Sequence, residues 1–215
     1  MVEKRVALDK MEFLCLGVEL INFPAIESPI YNQSTRTPEV FYYEIDPEER
    51  EAAKVIVTDV DNKRGNFISV CSNLDNLLGK AISSFFFDTD SDMKKMFHAY
   101  ILDTTIFSFS QRKKVLQQIM EKHPDKFKSI TKQLRQELFS DLDKIIDMRN
   151  AFAHGKIIID YNADNPIIRF YNSKKNKEDE KILSSKFFTD LENQTFQVAL
   201  TLSECIPDML WDARL

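Results

Sequence analysis

Phe67, Val70, Cys71, Leu74, Leu77, Leu78, Ala81, Ile82 and Phe85 return at three- and four-residue intervals, the spacing that puts apolar side chains on one face of an α-helix. A second stripe, Phe127, Ile130, Leu134, Leu138, Leu142 and Ile145, predicts a helix of roughly 30 residues. Pro124 would open it at a first helical position, and Gly155 would close it as a left-handed cap. Asp46 followed by Pro47, Glu48 and Glu49 reads as the start of a helix running to Asp59, since a cap, a proline and acids in the first turn all favour that end. Asp61-Asn62-Lys63-Arg64-Gly65 is then expected to break the pattern. Shorter helical segments are expected around Met93, Met96, Phe97, Tyr100 and Ile101, and from a Ser110 cap through Leu116 and Met120 to His123-Pro124. Ser185 is placed as the cap of a last helix with Phe188, Leu191, Thr195, Val198 and Leu202 inward.

Two β-branched runs, residues 156–161 and 166–171, flank Asn162-Ala163-Asp164-Asn165 and predict a hairpin. The polar stretch 172–180 reads as a loop. Residues 1–46 mix short apolar runs such as Phe13-Leu14-Cys15-Leu16 with prolines at 24, 29 and 38, and read as an irregular arm or short strands. The expected architecture is mainly α: an N-terminal arm over 1–46, an up-and-down helical bundle over 47–155, and a small β-hairpin with a final helix over 156–215, packed on the same domain.

Composition supports helices. In 215 residues that are 43% hydrophobic there are only four glycines against 17 phenylalanines, which favours long regular elements over a loop-rich all-β scaffold. Cys15, Cys71 and Cys205 are widely spaced among apolar neighbours, suiting small buried hydrophobes in a reducing compartment rather than a disulfide framework or a zinc knuckle. No apolar run approaches the roughly 20 residues that span a bilayer, and Met1-Val2-Glu3-Lys4-Arg5 does not begin a secretory leader, so a cytoplasmic protein without membrane contact is expected.

The net charge of -5 argues against a general electrostatic grip on nucleic acid. Basic residues are nonetheless concentrated between 111 and 135, among them Arg112, Lys113, Lys114, Lys128, Lys132 and Arg135. This span is either a solvated helix face or a phosphate track for RNA.

The most specific segment is Arg149-Asn150-Ala151-Phe152-Ala153-His154-Gly155. At about 100° per residue, Arg149 falls in the middle of the apolar arc centred on Leu142, where an unpaired guanidinium would cost several kcal/mol if sealed in hydrocarbon. Asp75, Asp147 or a backbone carbonyl could partner it. Asp143, Asp147, Asn150 and His154 make a polar stripe along the edge of the same arc. Arg149 and His154 point about 140° apart on an ideal helix, so the two converge more easily across a two-fold interface than within one chain. A homodimer through the helix ending at His154 would hold two copies of Arg149, Asn150 and His154. The negative end of the helix dipole attracts a cation at His154. Two such histidines can divide acid and base roles in RNA cleavage while Arg149 holds the charge on phosphorus. That chemistry requires no metal, and no metal or other cofactor is expected.

These residues resemble the signature of the HEPN superfamily: an arginine, here Arg149, followed by a polar residue, Asn150, and after four intervening positions a histidine, His154, near a helix end. The resemblance covers about residues 47–155. Asp61 to Leu78, with Arg64-Gly65 ahead of Leu74-Asp75, also looks like the mannitol operon repressor-like branch. The resemblance implies a HEPN-like helical bundle, dimers through the motif helices, and in many members metal-independent endoribonuclease activity in toxin-antitoxin, phage-defence or RNA-processing systems. It points to Arg149 and His154 as catalytic, Asn150 as supporting them, and Asp75 as an acidic partner. Other members are non-catalytic, so a dimeric module that binds an antitoxin or another regulator protein is the alternative.

His98 and His123 have no Cys, His or carboxylate at ligand spacing and are expected to be ordinary histidines. The Phe85-Phe86-Phe87 and Met93/Met96/Phe97 clusters are expected to be core. No helix-turn-helix with a basic recognition helix is visible, which argues against a DNA-binding repressor.

Overall fold

The computed structural model describes residues 17–23, 25–31, 38–87, 91–103, 107–172 and 174–206. The Cys15 assignment and half of the expected N-terminal arm lie outside them. The chain is mainly helical, in the order β1 (Val18–Ile21), β2 (Ala25–Tyr31), β3 (Pro38–Ile45), α1 (Pro47–Phe86), α2 (Asp92–Phe97), a π-helical turn (His98–Leu102), α3 (Phe109–Lys122), a 3-10 turn (Pro124–Phe127), α4 (Lys132–His154), β4 (Lys156–Asp160), β5 (Ile167–Asn172), β6 (Lys177–Ile182) and α5 (Ser185–Ser203). Two compact units divide within α1 and α4: residues 1–65 with 151–188, and residues 66–150 with 189–215. No helix of the described residues is long and apolar enough to cross a membrane.

In the first unit, β1-β4-β5-β6 form one sheet and β2-β3 another. The expected hairpin is β4 against β5, antiparallel with Ile157 opposite Ile168. β1 adds to its other side in parallel register, Val18 opposite Ile157. Asn22 ends β1 at a φ of 59°, a conformation asparagine tolerates, and its side chain donates to Asp160 Oδ1 at 2.9 Å. The polar stretch read as a loop runs into β6, which begins at Lys177 and pairs antiparallel with β5. It is an edge strand in which Lys177, Glu178, Asp179, Glu180 and Lys181 succeed one another, so its order comes from backbone pairing rather than a buried face. Phe152 is fully buried, stacked on Phe188 with ring centroids 6.1 Å apart, and Lys63 lies over the far ring at 5.2 Å.

In the second unit the predicted apolar stripes are the core. Leu74, Leu78 and Ile82 of α1, Leu116 and Met120 of α3, and Leu142 and Ile145 of α4 are almost wholly excluded from solvent. Val70 is the exception in its stripe and lies exposed.

Several boundaries differ from expectation. α1 is one uninterrupted 40-residue helix, because Asp59–Lys63 and Asp61–Arg64 pair along its surface and Gly65 sits in open space. α3 is capped by Ser108, not Ser110: Ser108 and Gln111 exchange side-chain-to-backbone hydrogen bonds as a capping box. Pro124 starts a short 3-10 turn, and α4 begins only at Lys132, with Thr131 Oγ1 accepting from the Leu134 amide. Ser184 rather than Ser185 caps α5 through the Phe187 amide. Gly155 is not left-handed. Its lack of a side chain is required by crowding instead, since a Cβ there would lie 2.4 Å from the Ala151 carbonyl oxygen and 2.9 Å from Ile168. α4 therefore passes into β4 with almost no connecting loop.

Candidate functional site

Arg149 is half-buried, and it lines a cavity of about 330 Å³ in the second unit. α1 contributes Cys71, Ser72 and Asp75, at the spacing of one helix face. α4 contributes Ile146, Arg149 and Asn150, again one face. The N-terminus of α3 supplies Ser108, Phe109 and Ser110. Apolar Ile146, Phe109 and Cys71 thus share the lining with hydroxyls, a carboxyl, an amide and a guanidinium. The guanidinium and the positive end of the 14-residue α3 both favour an anionic group.

Arg149 resolves its position in the apolar arc by reaching this opening, where its Nη1 donates to Asn150 Oδ1 at 3.2 Å. The direct ionic partner of Asp75 is Arg112, 3.3 Å away, and not Arg149. Burial raises the Asp75 pKa above its ordinary 3.8, the neighbouring Arg112 lowers it, Asp103 raises it and Arg149 lowers it. Burial also pushes the Cys71 thiol up to about 12 against the opposing charge of Arg149, which makes it a poor nucleophile. Cys205 is likewise a free, buried thiol raised to about 12 by burial.

No family model, curated protein or solved structure matches this chain. What the site can do is therefore read from its own groups.

Asn150, Asp147 and His154 lie exposed along the polar stripe of α4, while Asp143 is half-buried. His154 closes the last turn of the helix. The basic span divides in two. Arg112 and Lys113 are buried and committed to internal partners, so they leave the predicted phosphate track. Arg112 donates to the Leu102 carbonyl at 2.6 Å and the Asp75 carbonyl at 3.2 Å, while Lys113 meets Asp143 at 2.5 Å. Lys114, Lys128 and Lys132 are exposed, and Arg135 is half-buried with Nη1 on the Met120 carbonyl at 2.9 Å.

Sequence reasoning did not find the wall formed by Cys71, Ser72, Ser108, Phe109 and Ser110. The spacing of residues 71, 72 and 75 on one helix carried that signal, as did the cap preference of Ser108. The Met93/Met96 cluster is also not core: Met93, Met96, Tyr100 and Ile101 are exposed, as is Phe86, although Phe86 packs on Phe97 with centroids 5.7 Å apart.

Proposed function

We propose that the chain is a metal-independent endoribonuclease acting as a homodimer through α4, of the HEPN-like toxin or phage-defence kind, with a composite site of Arg149, Asn150 and His154 from two copies. The observation that carries this reading is Arg149, a guanidinium in a mostly apolar helix face that lines a polar cavity beside the N-terminus of α3. Such a place suits a phosphate that gains charge during reaction. His154, exposed in the closing turn of the same helix, is about 140° away around the axis, so this reading needs the groove between two copies to bring imidazoles to that phosphate.

In this mechanism the neutral imidazole of one His154 takes the proton of the ribose 2′-hydroxyl, and the oxygen attacks the adjacent phosphorus. The bond from phosphorus to the 5′-oxygen breaks, and the protonated His154 of the second copy delivers its proton to that oxygen. Arg149 holds the added charge on the phosphorane, and Asn150 orients Arg149 through the hydrogen bond it accepts. The products are a 2′,3′-cyclic phosphate and a 5′-hydroxyl end.

The test is labelled RNA incubated with purified protein in EDTA, with Arg149→Ala and His154→Ala beside wild type. Loss of cleavage by about a hundredfold or more in both substitutions supports the mechanism. Absence of wild-type cleavage, its abolition by EDTA, or its survival in either variant counts against it. The second reading is a non-catalytic dimer that binds an antitoxin or regulator protein. It is favoured by the exposed Met93, Met96, Tyr100 and Ile101, apolar side chains that a protein partner would cover.

A further inference from the structure

Helices α3 and α4 enclose a larger cavity, about 500 Å³, that shares no lining residue with the one beside Arg149. Lys113, Gln117 and Met120 face it from α3, and Lys132, Arg135, Phe139 and Asp143 from α4. Both sets follow three- and four-residue spacing, so one face of each helix forms a wall. The charges are unevenly placed along it. At one end Lys113, itself buried, is neutralised by Asp143 at 2.5 Å. The buried Met120 and Phe139 supply an apolar middle. At the other end Lys132 and Arg135 stand in the first turn of the 23-residue α4, where the backbone dipole adds to their field. Glu121 offsets one of those two cations and is held by the Gln117 amide at 3.0 Å, which leaves one net positive charge. Arg135 engages one of its five N–H donors on the Met120 carbonyl, and the fork geometry of the others matches a phosphate or carboxylate.

We propose that this cavity binds a phosphomonoester carried on a ring, of about nucleoside monophosphate size, with the phosphate at Lys132 and Arg135 and the ring over Met120 and Phe139. The volume lies within the range of small-molecule sites, and the pattern of an apolar middle with few polar groups is theirs. A phosphomonoester carries between one and two negative charges at neutral pH, which the one net positive charge of this end meets together with the helix terminus. This site is independent of the ribonuclease reading and stands if that reading fails.

The probe is AMP, titrated into the full chain by isothermal calorimetry at low salt, with adenosine and inorganic phosphate as separate ligands. AMP should bind with a Kd of about 0.1–1 mM, and adenosine and inorganic phosphate each at least about tenfold more weakly. Lys132→Ala and Arg135→Met should each weaken AMP by about tenfold or more, while the exposed Lys186→Ala should leave it unchanged. Should Arg135→Met lose its fold by circular dichroism, Lys132→Ala decides alone. Absence of AMP binding up to about 10 mM, equal affinity for inorganic phosphate, or indifference to Lys132→Ala overturns the proposal.

Discussion

Replacing Arg112 with methionine removes the centre of a buried ionic network while keeping a long, flexible apolar stem. The arginine side chain is only 7% exposed, and its Nη2 donates to the Leu102 carbonyl at 2.6 Å. Its Nη1 reaches the Asp75 carbonyl at 3.2 Å and Asp75 Oδ1 at 3.3 Å, and Nη2 is 3.5 Å from Asp103 Oδ1. The Leu102 carbonyl, stranded in the interior, would cost about 1–3 kcal/mol. Removing one partner of a buried ion pair typically costs about 3–5 kcal/mol. Asp103 is half exposed and Asp75 about a quarter exposed, so water recovers part of the second amount. The expected loss is about 3–5 kcal/mol in all, measured from urea unfolding followed by far-ultraviolet circular dichroism at pH 7. With a slope of about 1–3 kcal/mol per molar urea, the midpoint should fall by more than about 1 M. Arg112→Lys keeps the charge but loses the fork, and should cost about 1–3 kcal/mol. Adding Asp75→Leu to Arg112→Met should return part of the loss, because the more buried of the two carboxylates left without Arg112 is then gone. A loss below about 1 kcal/mol for Arg112→Met, at unchanged slope, would refute the network as a stabilising element.

Asp75 also predicts a pH dependence. Its folded pKa lies above 3.8, so the folded state holds this proton more tightly than the unfolded chain, and the stability linked to that proton is present below 3.8 and lost as pH rises through the raised value. The stability of wild type relative to Asp75→Asn should therefore decline with rising pH across the weakly acidic range; a constant difference would contradict it. Gly155→Ala must push a Cβ against the Ala151 carbonyl oxygen and Ile168, and should lower stability by about 1–3 kcal/mol in thermal melts; an unchanged melting temperature would contradict the crowding. Cys71, raised to about 12 and buried, should resist iodoacetamide at pH 8 until denaturant is added; rapid labelling of the native protein would show that its seclusion is wrong.

Strong apolar periodicity was the part of the fold most readable in the chain, because stripes such as Leu74, Leu78 and Ile82 leave little choice of face. Charge and glycine misled at residues 61–65, since a solvent-facing helix surface accepts both when neighbouring turns pair their charges. β6 was illegible for the opposite reason: its side chains carry no alternation, and only the free edge of β5 makes it a strand. Around the cavity, Arg149 and Asn150 stood out because polar groups interrupt a greasy face, whereas the hydroxyls that share the lining come from α1 and α3 and no local pattern announces them. Arg112 and Lys113 look like surface charges in the sequence because their partners, Asp75, Asp103 and Asp143, are supplied by tertiary packing.

The parallel pairing of β1 with β4 has a consequence for synthesis. Asn22 and Asp160, which tie the ends of those strands, are 138 positions apart, and the ribosome makes the first long before the second. At roughly 5–20 residues per second the early strand waits about 7 to 28 seconds for its neighbour to emerge, with its backbone edge open to other chains. Closing so long a loop also slows refolding relative to a purely helical protein of this size, and places the sheet's assembly late in translation.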